Sequence, residues 1–231
     1  MSHLTTMIAG GASALALMAS TALAAPITFE SDLAPLNDSG ATGSATLTYD
    51  DETQELRVQI TASGLADGAH AMHIHGLFDE GNDGDPINSI APLPESDFDD
   101  NNDGILTVAE GADAYGAIIL PLTESGGADS NDFPVGTNID YDRTFDFSAD
   151  DADTLFAEIG DTGENYEVED LLPLLFRVIV IHGVNQDGTY DPLLPALAGA
   201  IEPVGEVPVP GAVILFGSAL AGFGVMRRRK A

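Results

Sequence analysis

The sequence predicts an all-β fold: a Greek-key β-sandwich or barrel with a long acidic loop and one or two short helices. Short strand-like segments recur along the chain, and turns rich in Gly and Asp separate them. Both ends look like processing segments. The remaining stretch of about 180 residues is long enough for one domain with a sizeable core.

The clearest strand signal is a hairpin. Ser44–Tyr49 and Glu55–Ala62 flank an acidic turn, and apolar and polar residues alternate strictly through the second segment. Such alternation is typical of a strand with one buried face. Five further segments are strand candidates: Ala71–His75, Ala117–Leu122, Tyr141–Phe147, Phe176–His182 and Leu197–Glu202.

Two segments between the strands have helical character. Asp151–Ile159 is predicted as a helix capped by Ser148 or Asp150, and Glu167–Leu175 as a helical turn that Pro173 disturbs. The long acidic segment Asp79–Asp113 is predicted as a loop. A loop of that length inside a compact domain is usually functional.

Each end of the chain carries an apolar segment. Residues 1–24 are predicted as a signal peptide cleaved before Ala25; a retained anchor and a misassigned start are the alternatives. Residues 206–231 contain Pro208 and Pro210, an apolar stretch and a terminal basic cluster, and resemble PEP-CTERM/VPLPA sorting tails. That resemblance implies processing by an exosortase-type protease. The simpler alternative is a membrane anchor. Both interpretations export the domain 25–205 to the cell envelope or the exterior.

The charge of the domain limits its partners. The chain has 38 acidic residues and seven Lys or Arg, four of which lie at the extreme C-terminus. Only Arg57, Arg143 and Arg177 remain in the domain. Nucleic acids and anionic membrane surfaces are therefore poor partners for the domain, whereas divalent metal ions or a high-salt medium suit its charge better. The absence of cysteine excludes disulfides and thiolate metal sites.

Three of the four histidines of the mature chain lie close together in sequence. On a strand, His73 and His75 point to the same face, about 7 Å apart, where two imidazoles can bind one metal ion. His70 falls on the opposite face of a regular strand. Two surface histidines on a strand are the alternative interpretation.

Gly68, His70, His73 and His75 form the pattern Gly-x-His-x-x-His-x-His. Together with Arg177–His182 and Leu197–Ile201, it resembles the copper/zinc superoxide dismutase superfamily. The resemblance implies copper at His73, His75 and His182, with His70 and Arg177 in supporting roles. No histidine lies between His75 and His182, so no zinc site is expected. Pro195 and Ala196 stand where that family has a substrate-steering Arg. A copper-dependent dismutase activity is therefore left open, and no catalytic residue is assigned.

Thr42–Pro94 also resembles a CHRD domain, a module of secreted proteins. The matching residues are Thr42–Leu47, Leu56–Leu65 and His73–Gly76. The module has no established catalysis. This resemblance therefore implies binding or envelope structure, and together with the calcium loop described next it gives the alternative function: a non-catalytic, CHRD-like envelope or matrix protein stabilised by calcium.

The calcium interpretation comes from residues 99–110, which match the loop template D-x-[DN]-x-[DN]-G-x5-E at every fixed position. Gly104 allows the sharp turn, and no flanking helices are evident. An acidic solvated loop is the alternative interpretation. The predicted calcium ligands are Asp99, Asn101, Asp103, Ile105, Thr107 and Glu110.

Overall fold

Ten antiparallel strands dominate the part of the chain that the structure describes, and they confirm the predicted all-β class. The computed structural model describes residues 25–79, 84–92 and 98–204, all within the unit Ala24–Pro208. The predicted signal peptide and sorting tail lie outside the described residues. Within these ranges, no helix has both the length and the apolar character needed to span a membrane.

The strands alternate with two short helices and two 3-10 turns. The helices are α1 (Val108–Tyr115) and α2 (Val168–Leu171), and the 3-10 turns are Ala152–Leu155 and Leu174–Phe176. The strands are β1 (Ile27–Pro35), β2 (Thr42–Asp50), β3 (Glu55–Ser63), β4 (Met72–Phe78), β5 (Pro86–Ile87), β6 (Ala117–Pro121), β7 (Asn138–Asp146), β8 (Val178–Gln186), β9 (Thr189–Ala200) and β10 (Glu202–Pro203).

Strand β1 connects the two halves of the sandwich. The strand order is β5-β4-β8-β9-β1-β2-β3-β7, with β10 paired to β1 and β6 paired to β4. Most of β1 pairs with β2, but Ala34 and Pro35 at its end pair with β9. One continuous strand thus belongs to both halves, and their inner faces share one hydrophobic core.

The two faces of β4 and β8 bury different groups. Met72 and Ile74 lie in the main core together with residues of β2, β3 and β7. The opposite face carries a second, smaller hydrophobic cluster, made of Leu36, Leu106, Tyr115, Val178, Val180 and Ala198. This cluster packs α1 and the end of the acidic segment against the outside of the sheet.

Helix α1 begins within the segment Asp79–Asp113, so the loop predicted there is wrong from Val108 onward. The helix starts inside the acidic motif and continues beyond it, although the sequence showed no flanking helix. A capping box starts the helix: Glu110 N donates to Thr107 Oγ1 (3.3 Å), and Thr107 N donates to Glu110 Oε2 (2.9 Å). Gly111 is tolerated because the Tyr115 ring occupies the space of a side chain; an added Cβ would lie 2.4 Å from that ring.

The helix predicted over Asp151–Ile159 is also wrong, since only the 3-10 turn Ala152–Leu155 forms there. The backbone of this segment pairs elsewhere. Ala157 N donates to Ile119 O on β6, and Ala157 O accepts from Tyr166 N, each at 2.9 Å. These tertiary hydrogen bonds replace those of a helix. In the other helical segment, α2 and a second 3-10 turn form on either side of Pro173.

Two strands differ from their sequence expectations. Strand β1 was not predicted, because the polar Ser31 occupies a buried position between Phe29 and Leu33. Strand β9 begins at Thr189 rather than Leu197, since its first residues pair with the end of β8 despite two prolines in the strand.

Arg177 fixes the base of β8. It is fully buried, and its guanidinium donates to the carbonyls of Asp170, Leu171 (3.0 Å) and Leu77 (3.5 Å). The guanidinium also lies 5.3 Å from the centre of the Phe78 ring. Burial lowers the pKa of Arg177 to about 10, although its charge is retained at neutral pH. Arg177 therefore ties β4 and the α2 segment to the start of β8.

Candidate metal centre

Strand pairing brings three histidines to one face of the sheet. His73 pairs with Val180 and His75 pairs with Val178, and directly paired residues share a face. His182 follows Val180 by two residues and therefore points the same way. Its amide donates to Ala71 O at 2.8 Å, which holds this end of β8 against the start of β4 although the β8–β9 register shifts at His182.

The three rings lie in contact. Ring centres are 5.4 Å apart for His73–His75 and for His73–His182, and 6.2 Å apart for His75–His182. One nitrogen from each ring lies within 4.8 Å of the other two. Nitrogens bound to one tetrahedral ion with bonds of about 2.0–2.1 Å are about 3.4 Å apart. Small side-chain rotations would therefore close the cluster around an ion.

Hydrogen bonds determine which nitrogens are free. Because backbone carbonyls only accept, Nδ1 of His75 donates to Gly116 O (3.0 Å) and Nδ1 of His182 donates to Leu193 O (2.6 Å). Nε2 of each ring remains for a ligand. Nε2 of His75 and Nδ1 of His73 are buried with no hydrogen-bond partner among the described residues. Buried polar atoms without partners are costly, and a metal ion would satisfy these two.

Burial keeps the cluster neutral. It lowers the pKa of His73 well below 6.5, and repulsion from His75 and His182 lowers it further. The pKa of His75 falls to about 3, through burial and then His182, although the hydrogen bond to Gly116 opposes the shift. Burial also lowers the pKa of His182, against the effect of its bond to Leu193. Neutral imidazole is the form that binds metals.

Aromatic rings enclose the cluster. Phe133 lies 5.5 Å from the His73 ring, and Tyr115 lies 4.7 Å from the His75 ring, both edge-on. Burial raises the pKa of Tyr115 to about 12, so the phenol stays neutral. The three histidine residues are only 3 to 8% exposed, so only a small ligand such as an ion can reach them. Among the described residues this is the only group of three or more His, Asp or Glu side chains spaced to hold a metal ion.

His70 is buried outside this cluster. Its Nδ1 lies 2.7 Å from the carbonyl of His182, and its Nε2 faces the carbonyls of Ala66 (2.9 Å) and Gly136 (3.0 Å). Tyr190 packs edge-on against the ring. His70 therefore contacts the backbone of His182 rather than the space between the three rings.

The acidic motif forms a loop closed on its own amides. Both carboxylate oxygens of Asp99 accept, from Asp103 N (3.2 Å) and Gly104 N (2.8 Å). Asn101 Oδ1 accepts from Asp103 N, and Asp103 Oδ1 accepts from Ile105 N, each at 2.8 Å. Gly104 has a φ of 82°, as the sharp turn requires.

Among the described residues, the carboxylates of Asp99, Asp103 and Glu110 do not form a group spaced to hold a metal ion. Glu110, the last predicted calcium ligand, accepts from both the amide and the hydroxyl of Thr107, and these bonds lower its pKa. In this conformation Thr107 and Glu110 start helix α1, so Glu110 would have to turn away from Thr107 to bind calcium.

Four residues that contact the three histidines were not predicted from the sequence: Tyr115, Gly116, Phe133 and Leu193. Tyr115 and Gly116 lie five and six residues after Glu110, the last residue of the acidic motif, but no spacing rule connects them to His75. Leu193 contributes a backbone carbonyl, which any residue could supply. Only the tertiary fold reveals these contacts.

Fold and site together define the class: an acidic β-sandwich with a buried cluster of three histidines. The CHRD domain family model matches residues 23–169, more than half of the chain, and the chain belongs to this family. The predicted CHRD resemblance is confirmed and extends well beyond Thr42–Pro94. The match includes His73 and His75 and ends before His182. No match was found among curated proteins.

We expect the metal-free protein to lose stability as the pH falls from 7 to 5. The folded state holds the three histidines neutral, whereas in the unfolded chain they take up protons below a pH of about 6.5, which favours unfolding. Each histidine that stays neutral lowers the free energy of unfolding by up to about 1.4 kcal/mol per pH unit, and this full slope is reached only below the unfolded pKa of about 6.5. Urea unfolding with a chelator present measures this slope.

The control is the double variant His73→Gln/His182→Gln, which has two fewer titrating groups. Most carboxylates titrate below pH 5, and they contribute equally in both proteins. The variant should show a shallower dependence on pH. An identical slope in both proteins would contradict burial of neutral imidazoles.

Proposed function

We propose that this protein is an exported CHRD-family module that binds one transition-metal ion at His73, His75 and His182 and acts by binding rather than by catalysis. The supporting observation is that one ring nitrogen from each of the three histidines lies within 4.8 Å of the other two. Among the described residues, Nδ1 of His73 and Nε2 of His75 are also buried without a hydrogen-bond partner. The CHRD family membership supports the non-catalytic part of the proposal.

Copper is the proposed metal. Imidazole binds copper well, and copper has the highest affinity among the divalent first-row metals for nitrogen sites. The cluster contains no carboxylate, which disfavours magnesium and calcium there. Bound copper would supply redox chemistry, while the protein contributes neutral ligands, fixed ring orientations and a shell of Phe133 and Tyr115 that limits access by water.

A relation to the copper/zinc superoxide dismutase superfamily is part of this proposal. Its support is the order of three sequence matches: Gly68–His75, Arg177–His182 and Leu197–Ile201. Two features favour binding over dismutation. Pro195 and Ala196 replace the expected substrate-steering Arg, and the excess of acidic residues repels an anionic substrate.

Copper binding to the purified protein tests the site. We expect one equivalent of copper to survive gel filtration in the presence of a competing chelator. The double variant His73→Ala/His182→Ala should bind copper more weakly by more than about 100-fold, because loss of outer hydrogen-bond partners alone typically costs 10- to 100-fold. Metal analysis of the protein fractions measures the difference.

Gln186→Ala is the matched control, since Gln186 lies on the same strand as His182 but outside the cluster. It should bind copper like the unchanged protein. Equal copper retention by the double variant would contradict the site. A superoxide assay on the copper-loaded protein forms the second arm; activity that disappears in the double variant would replace the binding function with a catalytic one.

Calcium binding at residues 99–110 is proposed as a second function of the same domain. The agreement with the calcium-loop template and the turn at Gly104 support it. The predicted ligands are Asp99, Asn101, Asp103, Ile105, Thr107 and Glu110. Calcium would neutralise part of the acidic segment at the point where it enters helix α1.

Equilibrium dialysis against calcium tests this second site. The double variant Asp99→Asn/Glu110→Gln should bind calcium at least about 10-fold more weakly, because it replaces two charged ligands. Asp113→Asn serves as the control, because this exposed residue lies on α1 outside the ligand positions. No calcium uptake by the unchanged protein, or equal loss in both variants, would reject the loop as a site.

Export is proposed from the two ends of the sequence. A signal peptide over residues 1–24 and a PEP-CTERM/VPLPA-type tail over residues 206–231 would bring the domain to the cell envelope or the exterior, with an exosortase-type protease as a partner. Intact-mass measurement of the protein recovered outside the cytoplasm should give a chain that begins at Ala25. A chain that begins at Met1 in the cytoplasm would contradict export.

A further inference from the structure

Helix α1 reaches the metal centre at its C-terminal end. Tyr115, its last residue, packs its ring against the His75 ring with centres 4.7 Å apart. The next residue, Gly116, accepts the hydrogen bond from His75 Nδ1. Two consecutive residues therefore contact one histidine: Tyr115 through an edge-on ring contact and Gly116 through a hydrogen bond.

The position of Gly116 leaves little freedom. Its φ is 82°, and an added Cβ would lie 2.0 Å from the carbonyl oxygen of Gly76, the residue after His75. The two backbones therefore approach closely. The carbonyl of Gly116 has a fixed direction relative to the His75 ring, and only glycine fits at this point.

The segment entering α1 is held by a second, separate contact. Asn37 Oδ1 accepts from Leu106 N (2.6 Å), and Asn37 Nδ2 donates to Leu106 O and to Pro195 O (both 2.9 Å). Asn37 thereby ties the segment to strand β9. Leu106 and Tyr115 also belong to the same small hydrophobic cluster on the outside of the sheet. The helix is thus anchored on both sides.

We propose that α1, through Tyr115 and Gly116, is the positioning element of the metal centre and sets the ring orientation and metal affinity of His75. This inference rests on the proposed function, because it requires a metal at the three histidines. Gly116 makes Nδ1 the protonated nitrogen of His75, which leaves Nε2 for the metal. Tyr115 restricts rotation of the ring, and it blocks one side of it from water.

Hydrogen-bond partners that orient a metal-binding histidine are worth about 10- to 100-fold in metal affinity. The effect of Tyr115 should be carried by its ring, since the hydroxyl makes only a long contact of 3.5 Å with Val108 O. Tyr115→Phe should therefore behave like the unchanged protein, whereas Tyr115→Ala frees the His75 ring to rotate.

Cobalt(II) is the probe for this inference, because its visible spectrum reports ligand geometry as well as binding. We expect Tyr115→Ala in the full chain to bind Co²⁺ about 10- to 100-fold more weakly and with an altered spectrum. Tyr115→Phe should restore both properties. Asn37→Gly keeps the positive φ of 49° but removes the remote anchor, and should weaken Co²⁺ binding several-fold.

Tyr141→Ala is the matched control. Tyr141 is a buried tyrosine of β7 that bonds Thr123 O in the main core, away from the second cluster. It should lower thermal stability without changing Co²⁺ affinity or spectrum in the folded protein. If Tyr115→Ala does not fold, Tyr115→Leu replaces it with the same expectation, because leucine keeps apolar volume without a flat ring.

The outcomes separate two failures. If the unchanged protein binds Co²⁺ and Tyr115→Ala binds it with the same affinity and spectrum, the positioning role is overturned while the metal site stands. A loss in Tyr141→Ala equal to that in Tyr115→Ala also overturns the role, since both would then reflect general destabilisation. If the unchanged protein binds no Co²⁺ and no copper, the proposed function fails and the inference fails with it.

Discussion

The pairing of strand β4 with strand β8 is the constraint on which the cluster of His73, His75 and His182 depends. Side chains alternate along both strands, so one register decides two outcomes at once. Met72 and Ile181 enter the main core on the inner face, while His73 and His75 meet His182 on the outer face. A slip of one residue would bury the histidines in the main core and expose the apolar side chains. Burial of the apolar face in the hydrophobic core thus brings the histidines together on the other face, although His73 and His182 are 109 residues apart in the sequence.

Much of this organisation can be predicted because alternation is a local signal. Leu56, Val58 and Ile60 alternate with polar residues, and that pattern correctly gave β3 and its hairpin with β2. The same reasoning missed β1, where Ser31 interrupts the apolar row. It also assigned a helix after Asp151, where hydrogen bonds to β6 override the local preference. Local sequence patterns thus failed to predict the secondary structure where contacts distant in sequence determine the backbone hydrogen bonds or bury a polar side chain.

Local sequence patterns likewise predict only part of the histidine cluster. His73 and His75 are neighbours on one strand, and alternation alone brings them together. The approach of His182 followed from the resemblance to a known fold, and strand pairing accounts for it physically. Tyr115 and Gly116 had no sequence signal, because their contact with His75 depends on where α1 docks on the outside of the sheet. The capping box at Thr107 was the one local feature from which α1 could have been predicted.

The protein separates two kinds of ligand chemistry. Exposed carboxylates cover its surface and raise the local concentration of every cation, with little preference among them. The three histidines offer only neutral nitrogens behind Phe133 and Tyr115, where a cation bound according to the proposed function would exchange its water for imidazole. Calcium and magnesium prefer oxygen and gain little from that exchange, whereas copper gains much. On the proposed function, the acidic surface therefore collects cations, and the buried cluster selects among them because it contains no charge of its own.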